Sequence, residues 1–269
     1  MTRREFRLLL AVYLTGLIIG TFMDLRISLS LHNARNIVGR MMNVGAMLPA
    51  AVIMSYCSGI VYWYCRSEYP MFRYPAALLP FMAGVASFRE IGMWRELDLS
   101  VRIIVGLIIG IVIIAAFNIR KPVIYRDKFL LAGIILLAAI ASSSCIGIMK
   151  FVWGRRRYYA MDDPLTQFVP WYQLHPFASS DLYRSFPSGH TGFGSLVLFL
   201  VYLPEMTDLK INRNLLRAIS IGWILVVMYS RIIYGAHFLS DVSCGAIIGL
   251  VVYYSAQKEV RKLTEFIDF

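Results

Sequence analysis

Apolar residues run through this chain in long blocks, at 8–23, 43–64, 75–94, 101–118, 129–149, 190–204, 215–233 and 237–256. Two blocks decide the class. Phe129 to Met149 is 21 residues without a charge, and Asn43 to Tyr64 is 22. A helix that crosses a bilayer needs about 20 predominantly apolar residues. The pattern therefore predicts an all-α, polytopic transmembrane helix bundle. The block at 75–94 contains Pro80 and reads as a short, tilted or re-entrant piece paired with 101–118. The count is eight crossings, or six plus an irregular pair. Both counts are even and put the termini on one side. Residues 1–128 read as N-terminal transmembrane helices and 129–269 as the part that carries the chemistry, within one integral membrane domain.

The polar breaks give an orientation. Thr2–Arg7, Arg66–Arg73, Arg120–Lys128, Lys210–Arg217 and Lys258–Lys262 alternate onto one side, and all are basic. Lys and Arg collect in cytoplasmic loops, so that side and both termini are expected to be cytoplasmic, in a multi-pass cell-membrane protein. The opposite side receives 24–42, 95–100, 150–189 and the junction at 231–237. It nevertheless holds Lys150, Arg155, Arg156 and Arg157. Cations kept outside at a helix end imply an anion to bind. The first block follows a basic start, but no small-residue cleavage site follows Phe22, so a retained helix is expected rather than a signal peptide.

Composition agrees with the pattern. The chain has 269 residues, 58% hydrophobic and 16% charged, against about 25% charged in soluble domains. The net charge of +11 belongs to the loops, and a nucleic-acid partner is not expected. Cys57, Cys65, Cys145 and Cys244 are scattered, with no metal or disulfide spacing, and read as small apolar residues between helices.

Three polar clusters fall on the extracytoplasmic side. The first is Lys150-Phe-Val-Trp-Gly-Arg-Arg-Arg157. A lysine at a span's end is ordinarily a snorkelling anchor, but three arginines beside it exceed that need. The second is Phe186-Pro-Ser-Gly-His190-Thr, in which Ser188 is placed to cap a helix start, where free N–H groups attract anions. The third is Ser230-Arg231-Ile-Ile-Tyr-Gly-Ala-His237-Phe-Leu-Ser-Asp241. His237 and Asp241 share a helix face at i, i+4. The aspartate is expected to accept a hydrogen bond from one imidazole nitrogen and leave the other free. Ionisable residues inside a membrane segment are costly and point to function.

In this order the clusters resemble the three-part signature of the type 2 phosphatidic acid phosphatase (PAP2) superfamily: Lys-x6-Arg-Pro, Pro-Ser-Gly-His and Ser-Arg-x5-His-x3-Asp. Pro187, Ser188, Gly189, His190, Ser230, Arg231, His237 and Asp241 match. The first motif matches at Lys150 and Arg157 but has Tyr158 in place of proline, which leaves Arg155 or Arg156 as substitutes for Arg157. The resemblance covers about residues 129–256, and implies a six-helix core with two extra helices.

The resemblance implies a metal-independent phosphatase with a phosphohistidine intermediate and no cofactor. His237 would be the nucleophile, Asp241 its orienting partner, and His190 the general acid and base. Lys150, Arg157, Ser188, Gly189 and Arg231 would bind the phosphate. No carboxylate cluster for magnesium accompanies the motifs, since Asp162 and Asp163 read as a solvated pair. The expected substrate is a lipid phosphate or polyprenyl diphosphate drawn from the membrane lipids. Two rivals stand beside this reading. A phosphotransferase would use the same intermediate with a lipid or sugar acceptor. A transporter of anionic lipids would instead place its charges near the bilayer midplane.

Overall fold

The computed structural model of the chain describes residues 1–92, 98–176, 180–207 and 209–267. All regular structure among them is helical. The helices are α1 (Arg3–Leu31), α2 (Ile37–Gly45), α3 (Leu48–Glu68), α4 (Arg73–Gly92), α5 (Leu99–Arg120), α6 (Arg126–Trp153), the single turn α7 (Pro164–Gln167), α8 (Gly189–Gly194), α9 (Leu203–Thr207), α10 (Arg213–Ile233) and α11 (Leu239–Ile267). Among the described residues six segments are long and apolar enough to cross a membrane: Arg3–Leu31, Ile37–Glu68, Leu99–Arg120, Arg126–Ala160, Arg213–Ile233 and Leu239–Leu263. The protein is a multi-pass helical membrane protein. The expected block at 75–94 is α4, a helix with Pro80 inside it. Residues 95–97 of the expected junction at 95–100 lie outside the described residues.

The core explains the order of packing. Ile53, Cys57 and Ile60 of α3, Ile135 and Ala138 of α6, and Leu250 and Tyr253 of α11 meet around a central segment that contributes Leu196 and Phe199. Ile104, Ile108, Ile111 and Val112 of α5 stay exposed, as do Val12, Ile18 and Phe22 of α1. Apolar faces of that extent suit acyl chains as their neighbour rather than water. Cys57 is buried as expected, but Cys145 lies on the exposed face of α6.

Two elements depart from the expectation. The block at 190–204 is not one α-helix: α8 passes into a 3₁₀ stretch at Ser195–Tyr202 and then into α9. Two of the block's carbonyls accept from side chains: Ser195 Oγ donates to Thr191 O at 2.7 Å and Ser220 Oγ of α10 donates to Val197 O at 2.9 Å. Such bonds compete with the regular ladder. The first helix is also longer than its apolar block and carries Asp24 and Ser28 into the bundle, both buried.

The bundle has two polar ends. At one, Met1, Lys128, Glu205, Arg213 and Arg261 share the lining of one cavity of about 310 Å³. Arg217 Nη1 of α10 joins Glu5 of α1 there at 2.9 Å. The other end collects the C-terminus of α6, the start of α8, and the turn between α10 and α11.

Candidate active site

α6 delivers Lys150 in its last turn, and the chain then leaves through Arg155, Arg156 and Arg157. Lys150 Nζ donates to the carbonyl of Arg184 at 2.6 Å. Gly189 sits against the same side chain, 3.5 Å separating Lys150 Cε from the place a Cβ would take. Ser188 is buried and caps α8: its hydroxyl accepts from Thr191 N at 3.3 Å, and its own N–H donates to Asp241 O at 2.9 Å. That backbone bond ties the second motif to the third.

The third motif is a tight turn. The N–H groups of Ala236 and His237 both donate to Arg231 O, at 3.1 and 3.2 Å. Gly235 sits within the turn at φ +78°, and a Cβ on it would lie 2.7 Å from His32 Nδ1. Only glycine takes this backbone shape without strain. The turn directs Arg231 and His237 inward, and each is only 1% exposed. Arg231 Nε and Nη1 are buried without a hydrogen-bond partner, while its guanidinium lies 5.2 Å from the ring centre of Tyr234.

His237 has one nitrogen committed. Nδ1 lies 2.7 Å from the carbonyl oxygen of Ser185. A carbonyl can only accept, so Nδ1 carries the proton and Nε2 keeps its lone pair. This corrects the expected contact with Asp241, whose nearest oxygen is 3.8 Å from Nδ1. Asp241 reaches the histidine through Ser185 instead. Its Oδ2 accepts from Ser185 Oγ at 2.5 Å and from Phe238 N at 2.8 Å. Burial pushes the His237 imidazole down to about 3, with the Asp241 carboxylate offsetting part of that effect. His190 is partly exposed, and its ring centre is 6.4 Å from that of His237.

The three arginines separate into three tasks. Arg155 is fully buried and turned inward, donating to Asp241 Oδ1 at 2.5 Å and Asp24 Oδ2 at 2.9 Å. Arg156 turns outward to the carbonyl of Ala160 and to Asp162. Neither is therefore a substitute for Arg157 at the site. Arg157 binds Tyr159 Oη at 3.1 Å and Asp181 Oδ1 at 3.0 Å, and keeps a buried Nε without a partner. Tyr158, in the place of the usual proline, packs its ring edge-on against His32 and Phe238.

The loop between α6 and α8 is held by aromatic rings. Trp171 stacks on Phe186 at 5.4 Å, and Trp153 Nε1 donates to Trp171 O at 2.7 Å. Asp163 caps α7 by accepting from Leu165 N, while Asp162 is exposed. Among the described residues no group of three or more His, Cys, Asp and Glu side chains is arranged to hold a metal ion.

Motif spacing did not identify Ser185, Asp24 or the inward turn of Arg155. For Asp24 a signal existed, because a carboxylate beside an apolar run needs a partner. Residues 132–263 match the family model described as the PAP2 superfamily. No curated protein and no solved structure matches the chain.

Proposed function

Because the chain belongs, through residues 132–263, to the PAP2 superfamily, we propose that it is a membrane phosphatase acting on a lipid phosphate or diphosphate through a phosphohistidine. The observation that carries this reading is the buried guanidinium of Arg231, with two unpartnered nitrogens, in the same turn as a histidine whose Nε2 is free. A buried cation without an acceptor is costly, and a phosphate oxygen would supply the acceptor. Bidentate guanidinium–phosphate contacts are among the strong hydrogen bonds.

The Nε2 lone pair of His237 attacks phosphorus, and the bond to the leaving oxygen breaks. His190 gives that oxygen a proton: desolvation and the Arg231 charge hold its imidazole well below the usual histidine range in the free protein, and a bound phosphate dianion raises it. Neutral His190 then takes a proton from water as the water oxygen attacks phosphorus. The P–N bond breaks, phosphate leaves, and His237 is restored. While phosphorylated, the ring is cationic, and the Asp241 carboxylate at 3.8 Å opposes that charge. Arg231, Arg157, Lys150 and the Ser188 hydroxyl hold the equatorial oxygens, so cationic side chains do the work of charge neutralisation.

The position of the site supports a lipid substrate. It occupies helix ends, and its loop exposes Leu165, Tyr172, Leu174 and Leu182. That composition suits headgroup depth, where a phosphate meets the site while its tails remain in the bilayer. The basic loops of the other end favour an extracytoplasmic active site.

The test uses protein purified in detergent. Phosphate release is measured from lipid monophosphates and diphosphates with EDTA present. Wild type should be active and His237→Ala inactive. Loss of activity in EDTA, or full activity in His237→Ala, would sink the mechanism. Adding candidate alcohols and analysing products separates hydrolysis from transfer.

A further inference from the structure

The geometry points to Asp24 of α1, acting through Arg155, as a positioning residue for His237. The inference rests on the reading of His237 as nucleophile. It starts from the cost of Arg155. A fully buried guanidinium is tolerated only when paired and hydrogen-bonded, and this one is provided for on every side. Nε donates to Val169 O at 2.9 Å, and Nη1 to Ser240 Oγ at 2.8 Å and Asp241 Oδ1 at 2.5 Å. Nη2 donates to Asp24 Oδ2 at 2.9 Å. The ring of Phe238 covers it at 4.1 Å.

Asp24 does more than balance charge. Its Oδ1 accepts from the backbone N–H of Ser240 at 2.9 Å, and its Oδ2 accepts from the Ser240 hydroxyl. Ser240 is the second residue of α11, and N–H groups in a helix's first turn have no partner within the helix. A carboxylate from α1 thus caps the helix that carries Asp241, 216 residues away in the chain. Gly20, one turn earlier, permits the approach. A Cβ there would stand 2.6 Å from Ser240 N and 2.8 Å from Asp24 Oδ1.

From Asp241 the path to the nucleophile is short. Asp241 Oδ2 holds the Ser185 hydroxyl, and Arg155 O accepts from Ser185 N at 3.0 Å. Ser185 O is the acceptor that fixes the tautomer of His237. Arg155 therefore places Ser185 twice, through its backbone and through Asp241. None of these bonds involves Arg231 or Lys150. The network should govern how His237 attacks rather than how tightly phosphate is held. Asp24 also lies outside the matched residues 132–263, so the N-terminal helix contributes to the site.

The test compares wild type, Asp24→Asn and Ser240→Ala as full-length protein in one detergent. The readouts are kcat, KM for a lipid phosphate, and the inhibition constant of inorganic phosphate. The expected result for Asp24→Asn is a fall in kcat of about tenfold, with KM and phosphate inhibition changed by less than about twofold. Ser240→Ala, a milder lesion, should show the same pattern to a smaller degree and serves if Asp24→Asn does not fold. An unchanged kcat in a folded variant, or a KM and inhibition constant rising in step with the loss, would overturn the positioning role alone. A wild type that releases no phosphate from any lipid phosphate would instead overturn the proposed function, and this inference with it.

Discussion

A histidine shut away from water resists taking a proton, and His237 is nearly fully buried. Its imidazole is pushed down to about 3 by burial, against about 6.5 for a histidine in the unfolded chain. Above about pH 6.5 both states hold a neutral ring, and the shift contributes nothing. As the pH falls from about 6.5 towards 3, the unfolded chain takes a proton that the folded chain refuses, so stability is lost. Between about pH 6.5 and pH 5 the loss from this residue approaches about 2 kcal/mol. The unfolding temperature of wild type in detergent should therefore drop more between about pH 7.5 and pH 5 than that of His237→Asn. Equal drops would show that burial of His237 does not govern its protonation. The same environment keeps Nε2 unprotonated, as the proposed attack on phosphorus requires, and the cost of that burial is felt only as the pH falls below about 6.5.

At the scale of elements, the loop between α6 and α8 needs its own stabilisation because α7 is its longest helix among the described residues. Trp171 supplies part of it. Its ring stacks on Phe186, its carbonyl accepts from Trp153, and its Nε1 donates to Thr21 Oγ1 of α1 at 3.0 Å. Phe186 immediately precedes Pro187 and Ser188, so the clasp fixes where α8 begins. Trp171 is half-buried, and Trp171→Ala should cost about 2 kcal/mol, below the range for a fully buried tryptophan. Thermal unfolding should move down by roughly 5 °C. Activity should fall with it, because the Ser188 cap and the Ser185 carbonyl both depend on the position of this strand of loop. An unchanged unfolding temperature would show that the stacking is incidental.

The contrast between these elements and the motifs explains what was legible in the sequence. Lys150, Ser188, His190, Arg231, His237 and Asp241 lie within short local spacings, and a reader of one dimension finds them. Helix positions were legible for the same reason, since an uncharged run of bilayer length has few alternatives. Asp24, Arg155 and Ser185 were not, because their partners lie 131, 86 and 56 residues away. No periodicity encodes such contacts. The 3₁₀ stretch at Ser195–Tyr202 escaped for a related reason: the Ser220 hydroxyl that bonds its Val197 carbonyl comes from α10. The i, i+4 spacing of His237 and Asp241 misled in one respect. It assumes both residues stand on one helix, whereas α11 begins at Leu239 and leaves His237 in the preceding turn.

At the scale of the whole molecule the question is which end faces the cytoplasm. The two ends differ in kind. One joins Met1 to Lys128, Arg213 and Arg261 around a shared cavity, and gathers the N-terminus with the ends of α6, α10 and α11. The other holds the histidines and the buried arginines. Basic residues in short loops resist translocation, so the first end should stay inside and the site should face out. The other end also carries cations, but these are built into the site, with Arg155 bonded to Asp24 and Asp241 and Arg157 to Asp181. Placing single cysteines in a variant without the four native ones tests the assignment. His175→Cys marks the exposed loop beside the site, and Lys210→Cys marks the exposed junction before α10. In intact cells a membrane-impermeant maleimide should label the cysteine at position 175 and leave that at position 210 unlabelled until the membrane is opened. The reverse pattern would invert the topology and turn the site towards lipids of the cytoplasmic leaflet. The assignment has a chemical consequence: on the proposed reading, an outward-facing site would draw its phosphates from the outer leaflet and would release inorganic phosphate on the extracytoplasmic side.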